Sequence, residues 1–257
     1  MGTGVNQCGL CIPENSFSIV LDLKRMDRIL EIDEVNMTAR IQPYVSIARL
    51  QAETMKRGLW NGGTPLAPST CSEISNILFM GIWQSCLAYG AGLRSLVNLT
   101  IVLPNGDMLR TGSSALPNAD GFLWYGPGPD IKGVFEFGSC GEFGVITEAT
   151  VKLYPWVGGE WQTEAVYDKP PLPRNHHIYF IEFPDSESMK RALYEISHSG
   201  IATHLHAMCN AYNACYTQPT QELTVKKFKE GLFPEHLVYC ITAGISSPKQ
   251  LEYEEKV

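Results

Sequence analysis

The chain has 257 residues, 44% of them hydrophobic and 18% charged, so it can bury one large core or two smaller ones. The formal net charge of −7 and the lack of a Lys/Arg-rich run argue against a nucleic-acid partner. No apolar stretch reaches the ~18 residues of a membrane span, so no membrane span is predicted and the cytoplasm is the expected compartment.

The chain opens with the glycine-rich stretch MGTGVNQCGLCIP. Glycines let backbone N–H groups approach an anion closely, and such a loop usually holds a phosphate. A phosphate loop normally follows a strand, whereas a flexible terminus needs nothing before it, and on local evidence both interpretations stay open. Cys8 and Cys11 form a lone C-x-x-C pair, for which a structural role is favoured over metal or redox chemistry.

The first half of the chain reads as short strands and one helix. Strands are predicted over Ser18–Leu23, Ile29–Asp33 and Thr38–Pro43, where β-branched and apolar residues lie between polar ones. Ser46 is a predicted N-cap for a helix that ends at Gly58.

The clearest element is the segment SLVNLTIVLPNGDMLRTG, residues 95–112. Its Pro-Asn-Gly turn between two apolar runs predicts a β-hairpin. The segment GVITEATVKLYP, residues 144–155, alternates apolar and polar residues and predicts a half-buried strand.

Beyond residue 155 the chain changes character. A Pro- and Gly-rich passage leads to predicted strands over residues 177–183, 201–208 and 236–244, with helices over 185–200 and 223–229. This order predicts a small α+β domain with an antiparallel sheet. The boundary is placed at residue 155, which gives domains 1–155 and 156–257.

Three passages rich in glycine and hydroxyl residues concentrate the chemistry of the first domain. The first is the opening loop, the second is NGGTPLAPSTCSEISN at residues 61–76, and the third is FGSCGEFGVIT at residues 137–147. The second passage leads into a helix, whose unpaired N–H groups are suited to a pyrophosphate. Each passage alone also fits an ordinary turn, so the prediction of a nucleotide site depends on all three together.

These passages, with the motifs LPNGDMLRTG and GSCGEFGVITEATVKLYP, resemble the FAD-binding domain of the vanillyl-alcohol oxidase and p-cresol methylhydroxylase (PCMH-type) superfamily. The resemblance covers about residues 2–155. It implies an α+β fold in which a PCMH-type flavin domain precedes part of a cap domain. The segments LRTGSSALPN and WYGPGPDIKGVF favour the alkylphenol-oxidising branch over the glycolate and lactate dehydrogenase branch.

The resemblance also implies the cofactor contacts. The opening loop would hold the FAD pyrophosphate through Gly2, Thr3, Gly4, Val5, Asn6 and Gln7. The second passage and the Tyr-Gly pair after it would contribute Pro68, Ser69, Thr70, Ser72, Ser75, Asn76, Tyr89 and Gly90. The third passage would line the flavin with Gly138, Ser139, Gly141, Gly144, Val145 and Ile146.

Two departures from the family pattern shape the expectations. In the family the loop follows a β-α-β unit, so the chain is expected to be a fragment lacking the N-terminal part of the flavin domain and the C-terminal part of the chain. The opening loop has no histidine for a covalent flavin bond, and although Cys8 or Cys71 offers a thiol, non-covalent FAD is favoured.

The expected function is that of an FAD-dependent oxidoreductase, which takes a hydride from an alcohol, a 2-hydroxy acid or an alkylphenol. The alternative is a non-catalytic or partial flavoprotein subunit that needs another chain to complete its fold. Expected partners are a small-molecule substrate, an electron acceptor (oxygen or a redox protein subunit) and further subunits of an oligomer or complex. Catalytic residues are not assigned, no metal is expected, and the candidates for substrate contact in the cap are Tyr179, His204, His206 and Tyr212. His204 and His206 alternate along a strand and so share a face, where packing is the competing role.

Overall fold

The fold is that of a computed structural model, which describes residues 13, 17–63, 69–79, 81–124, 126, 134–135, 142–159, 175–208, 210, 220–244 and 247–256. The chain divides into two compact units, Met1–Pro170 and Pro171–Val257. The boundary predicted at residue 155 stays a prediction, because residues 160–174 lie outside the described ranges.

Unit 1 contains a five-stranded antiparallel sheet in the order β1-β2-β6-β4-β5, and β3 pairs with β7 in a separate two-stranded sheet. Its strands are β1 Ile29–Asp33, β2 Thr38–Ile41, β3 Leu59–Trp60, β4 Leu96–Val102, β5 Met108–Arg110, β6 Val145–Lys152 and β7 Tyr154–Pro155. Its helices are α1 Ile47–Met55, α2 Glu73–Leu78 and α3 Cys86–Tyr89, with 3-10 turns at Gly92–Ser95 and Gly112–Ala115.

The core of unit 1 lies between the sheet and the helices. Leu99 on β4 and Val151 on β6 are fully buried, and Leu50 of α1 and Ile77 of α2 belong to the same cluster. Burying such aliphatic side chains contributes about 1.5–3 kcal/mol each. The sheet and both helices therefore share one core, and this fixes the start of α2 relative to β2 and α1.

Most predicted elements of unit 1 are confirmed. The hairpin forms as predicted, with a turn bond of 2.9 Å from Gly106 N to Leu103 O and with φ +89° at Gly106. Ser46 caps α1 by accepting a hydrogen bond from Arg49 N, and Gly58, beyond the helix end, takes φ +70°.

The predicted strand at Ser18–Leu23 is wrong. These residues form no strand, and the side chain of Ile19 is 97% exposed. The apolar character of the segment suits a strand, but a strand needs a neighbouring strand to pair with, and these residues belong to none of the sheets in the described part of the chain.

Unit 2 is a three-stranded antiparallel sheet in the order β8-β10-β9. Its elements are β8 His176–Glu182, α4 Ser186–Ser199, β9 Ala202–Met208, α5 Gln221–Lys229, β10 Leu237–Ala243 and α6 Pro248–Glu254. Asp185 caps α4 through a 2.7 Å bond from Ser188 N, and Gly200 ends this helix at φ +71°. Together the units confirm the predicted α+β class.

Candidate functional site

The second glycine- and hydroxyl-rich passage is attached to the junction between β2 and α1. Ala48 N donates to Ser69 O at 2.9 Å, and Ser72 Oγ donates to Pro43 O at 2.6 Å. Ser69 and Thr70 are exposed on the stretch that precedes α2. The passage is therefore held by backbone pairing, and two of its predicted cofactor residues face solvent.

Ser72 and Ser75 begin α2 in the way the sequence predicts. Ser72 is buried, and its hydroxyl oxygen accepts a 3.2 Å bond from Ser75 N. This hydroxyl thus satisfies one of the N–H groups that a helix start leaves unpaired. Ser72 shapes the start of α2, and its side chain is not a free ligand donor.

Asn76 supplies the observation that tests whether a polar ligand fits here. Its Nδ2 atom is buried and has no hydrogen-bond partner in the structure. A Cβ atom at Gly81 would lie only 2.0 Å from Asn76 Oδ1, so a side chain at position 81 would have to displace this amide. A buried N–H donor without a partner is costly, and a ligand oxygen would remove that cost. This residue fits a phosphate-bearing cofactor.

A buried polar network lies beneath the same passage. Gln51 Nε2 on α1 donates to Asn61 Oδ1 at 2.9 Å, and Asn61 Nδ2 donates to the Glu73 carboxyl oxygens at 3.0 and 3.2 Å. Gly63 N also donates to Asn61 Oδ1, at 3.3 Å. Burial raises the pKa of Glu73 to about 8, against a smaller lowering effect of the Asn61 hydrogen bond. Glu73 is therefore mostly protonated at neutral pH.

These three network residues are absent from the predicted site. Glu73 follows an N-cap serine, and an acidic residue there usually faces solvent and complements the helix dipole. Here Glu73 is buried instead, with its carboxyl group bonded to Asn61 and with the 3-10 turn Gly92–Ser95 packed on α2. The nearest sequence signal is its position inside the 61–76 passage.

Tyr89 and Gly90 follow the passage as predicted by resemblance. The Tyr89 ring stacks on Tyr154 with centroids 3.8 Å apart, and burial raises the pKa of Tyr89 to about 12. Ser95 Oγ lies 3.1 Å from the Tyr154 hydroxyl oxygen. Tyr89 is thus a packed, neutral phenol, and Gly90 ends α3 at φ +85°.

In the third passage the described residues are Gly144, Val145 and Ile146. Val145 and Ile146 start β6 and pair with Val102 and Ile101 of β4. A Cβ atom at Gly144 would lie 2.5 Å from Val102 O. The close approach of β4 is therefore enough to require glycine at position 144.

In unit 2, His204 and His206 do share a face, and they contact each other. His204 Nε2 lies 2.6 Å from His206 Nδ1, and the Tyr239 ring centroid is 5.3 and 5.2 Å from the two imidazoles. His204 is fully buried, whereas the Nε2 atom of His206 is buried without a partner. Burial lowers the pKa of His206, so its imidazole is uncharged at neutral pH.

Tyr179 lies on the opposite face of that sheet. It pairs with Cys240, whereas Tyr239, the next residue of β10 along the chain, pairs with His206. Neighbours along a strand point to opposite faces, so Tyr179 and the histidines do not converge. The Tyr179 hydroxyl instead donates to Glu255 Oε1 at 3.4 Å.

The remaining predicted contacts lie outside the described residues: Gly2, Thr3, Gly4, Val5, Asn6, Gln7, Pro68, Gly138, Ser139, Gly141 and Tyr212. In the described ranges, no three His, Cys, Asp or Glu side chains are grouped so as to hold a metal ion. Among the described helices, none has both the length and the apolar character that crossing a bilayer requires.

Comparison with known proteins identifies the first part of the chain. Residues 1–112 match a family model described as FAD binding domain. The glycolate oxidase subunit GlcD of Bacillus subtilis is 34% identical over 154 residues, which are 60% of this chain and 31% of that protein. The flavoprotein subunit of 4-cresol dehydrogenase from Pseudomonas putida is 28% identical over 189 residues, 72% of this chain and 33% of that protein. The chain thus spans about a third of these relatives.

Two solved structures share the fold. Alkyldihydroxyacetonephosphate synthase superposes with a TM-score of 0.69 at 22% identity, over 100% of this chain and 44% of that one. p-Cresol methylhydroxylase superposes with a TM-score of 0.67 at 18% identity, over 92% of this chain and 45% of that one. The predicted resemblance and the predicted cofactor, FAD, are both confirmed.

Proposed function

We propose that this chain, which carries an FAD-binding domain of the vanillyl-alcohol oxidase and p-cresol methylhydroxylase superfamily, works as an FAD-dependent oxidoreductase. The main support for the proposal comes from the second passage. Backbone hydrogen bonds hold its described residues before α2, and the Nδ2 donor of Asn76 is buried without a partner. A phosphate or ring oxygen of FAD would satisfy that donor. Ser69 and Thr70 are exposed on the stretch that precedes α2 and are proposed as further contacts.

When bound, FAD would supply the hydride acceptor, and the protein would position it and the substrate. The proposed substrates remain an alcohol, a 2-hydroxy acid or an alkylphenol. The names of two relatives, glycolate oxidase subunit and 4-cresol dehydrogenase subunit, correspond to the 2-hydroxy acid and the alkylphenol classes. In unit 2, His206 Nε2 is the proposed group for holding or accepting a substrate hydroxyl proton, since the His204 ring fixes its orientation.

FAD is proposed to bind without a covalent bond. Of the two cysteines considered for a thioether, Cys71 is described, and it is buried. Burial raises the pKa of its thiol, which keeps the sulfur protonated and weakly nucleophilic.

The cytoplasm is the proposed compartment. Among the described residues, Cys71 and Cys240 are thiols outside any disulfide, which is compatible with reducing surroundings. The electron acceptor is proposed to be oxygen or a redox protein subunit, and the chain to be part of an oligomer or complex.

A second candidate is a non-catalytic or partial flavoprotein subunit that needs another chain. The segment from Phe17 to Leu21 favours it, because Phe17 and Ile19 are almost completely exposed. Consecutive exposed apolar residues often mark a surface that another polypeptide covers.

The test is a titration of the purified chain with FAD, followed by anaerobic addition of glycolate, D-lactate or 4-cresol. The proposal predicts quenching of flavin fluorescence on binding and loss of the visible flavin absorption with one substrate class. Binding without reduction by any of the three would favour the partial subunit, and a well-folded chain that takes up no FAD would rule out both.

A further inference from the structure

We propose that Glu73 is a positioning residue for FAD, which acts through Asn61 and Gln51 to hold the second passage in its cofactor-binding conformation. The inference rests on the proposed function, because it concerns the passage assigned there to the cofactor. None of the three side chains belongs to the contact set implied by the family resemblance.

The geometry places Glu73 at a junction. Its backbone N–H donates to Val45 O at 3.0 Å, and its carboxyl group accepts both bonds from Asn61. Asn61 in turn is bonded to Gln51 of α1 and to the backbone of Gly63. The network therefore connects three segments: α1, the glycine pair that opens the passage, and the first turn of α2.

The first turn of α2 is also where the candidate contacts lie. Ser72, the residue before Glu73, caps the helix and bonds to Pro43 O, and Asn76 is one turn further on. A shift of Glu73 would move the start of α2, and with it the amide of Asn76. Precise placement of such donors is what a bound cofactor requires.

Because Glu73 is buried, the hydrogen-bond network of Gln51, Asn61 and Glu73 is sensitive to a charge on the Glu73 carboxyl group. Gln51, Asn61 and Glu73 are all buried, and the described donors to the carboxyl group are the amide hydrogens of Asn61. A buried carboxylate without a cationic partner is costly, and its charge would also repel the FAD phosphates. Burial therefore favours the protonated acid, against the smaller opposing effect of the Asn61 hydrogen bond.

The neighbouring titratable groups do not compensate this charge. Arg49 and Glu53 on α1 have side chains 49% and 46% exposed, and both sit in surface ion pairs. Arg94 in the 3-10 turn that packs on α2 is exposed, and Cys71, whose thiol pKa is raised by burial, is neutral. With Glu73 near pKa 8, about nine tenths of the molecules carry its proton at pH 7 and about one tenth at pH 9.

The experiment compares the unmodified chain with Glu73→Gln, and with Glu53→Gln as the control on an exposed carboxylate. The FAD dissociation constant is measured at pH 7 and pH 9. The unmodified chain and the control should bind FAD about tenfold more weakly at pH 9, whereas Glu73→Gln should keep its affinity. Equal pH profiles for the unmodified chain and Glu73→Gln would overturn the inference.

Hydrogen exchange gives a readout that does not need FAD. The amides of Ser75 and Asn76 are bonded to Ser72, so their protection factors report the start of α2. From pH 7 to pH 9 these factors should fall in the unmodified chain and stay constant in Glu73→Gln; equal behaviour would again overturn the inference. If no variant binds FAD, the proposed function fails, while hydrogen exchange still decides the role of Glu73.

Discussion

At the scale of single residues, the candidate site depends on polar atoms that folding leaves buried. Asn61 is fully buried but forms hydrogen bonds through both ends of its amide. Asn76 is different, because its Nδ2 atom is buried with no acceptor. Such a group lowers the stability of the ligand-free chain, and we propose that bound FAD removes this cost.

Asn76 gives a prediction in which stability and affinity move in opposite directions. Asn76→Leu has nearly the same shape and removes the unpaired donor, so the FAD-free chain should be at least as stable. FAD affinity should fall about tenfold, equivalent to ~1.4 kcal/mol. Urea unfolding and FAD titration measure the two quantities.

The matched control is Asn105→Leu in the exposed hairpin turn, which should leave FAD affinity unchanged. If Asn76→Leu also left affinity unchanged, the donor of Asn76 would not contact the cofactor.

At the scale of elements, the sequence predicted correctly those elements whose hydrogen-bond partners are near in sequence. The Pro-Asn-Gly turn predicted β4 and β5, and Ser46 predicted the start of α1, because their bonding partners are near in sequence. The strand predicted at Ser18–Leu23 is wrong, because strand formation depends on pairing with segments that are distant in sequence. Sequence alternation can show that a segment suits a sheet, but not that a neighbouring strand is present.

A substitution at Gly144 tests how closely β4 packs against the start of β6. In Gly144→Ala the new methyl carbon would lie 2.5 Å from Val102 O and 2.8 Å from Ile101 Cγ2. Relieving the first contact would require the backbone of β4 to move, which is energetically costly. The free energy of unfolding of unit 1 should fall by about 3 kcal/mol. Urea denaturation followed by tryptophan fluorescence measures it.

Gly106→Ala is the matched control, because a Cβ atom there meets nothing within 4 Å and only the positive φ is costly. It should cost about 1 kcal/mol. Equal losses for both variants would show that the contact with β4 is not what requires glycine at position 144.

At the scale of the whole molecule, the tryptophans offer a test of the two-unit organisation. All five of them, Trp60, Trp83, Trp124, Trp156 and Trp161, fall within residues 1–170. Tryptophan fluorescence therefore reports unit 1, whereas far-UV circular dichroism reports both units.

FAD should raise the thermal midpoint seen by tryptophan fluorescence by roughly 5–10 °C at 100 times its dissociation constant. Circular dichroism should show this shift in one component only, since the proposed FAD contacts belong to unit 1. An equal shift of the whole dichroism transition would mean that the chain unfolds as one cooperative body.

The sequence by itself determined the α+β class, the hairpin and the helix caps, and its motifs carried the resemblance that implied FAD. The class, the hairpin and the caps follow from turn chemistry and hydrophobic periodicity, which act over a few residues. Tertiary structure alone decided that Glu73 is buried, that Tyr179 faces away from His204, and that Val102 of β4 closely approaches Gly144. Burial and strand register are set by segments distant in sequence, and short-range patterns carry no information about which of those segments will meet.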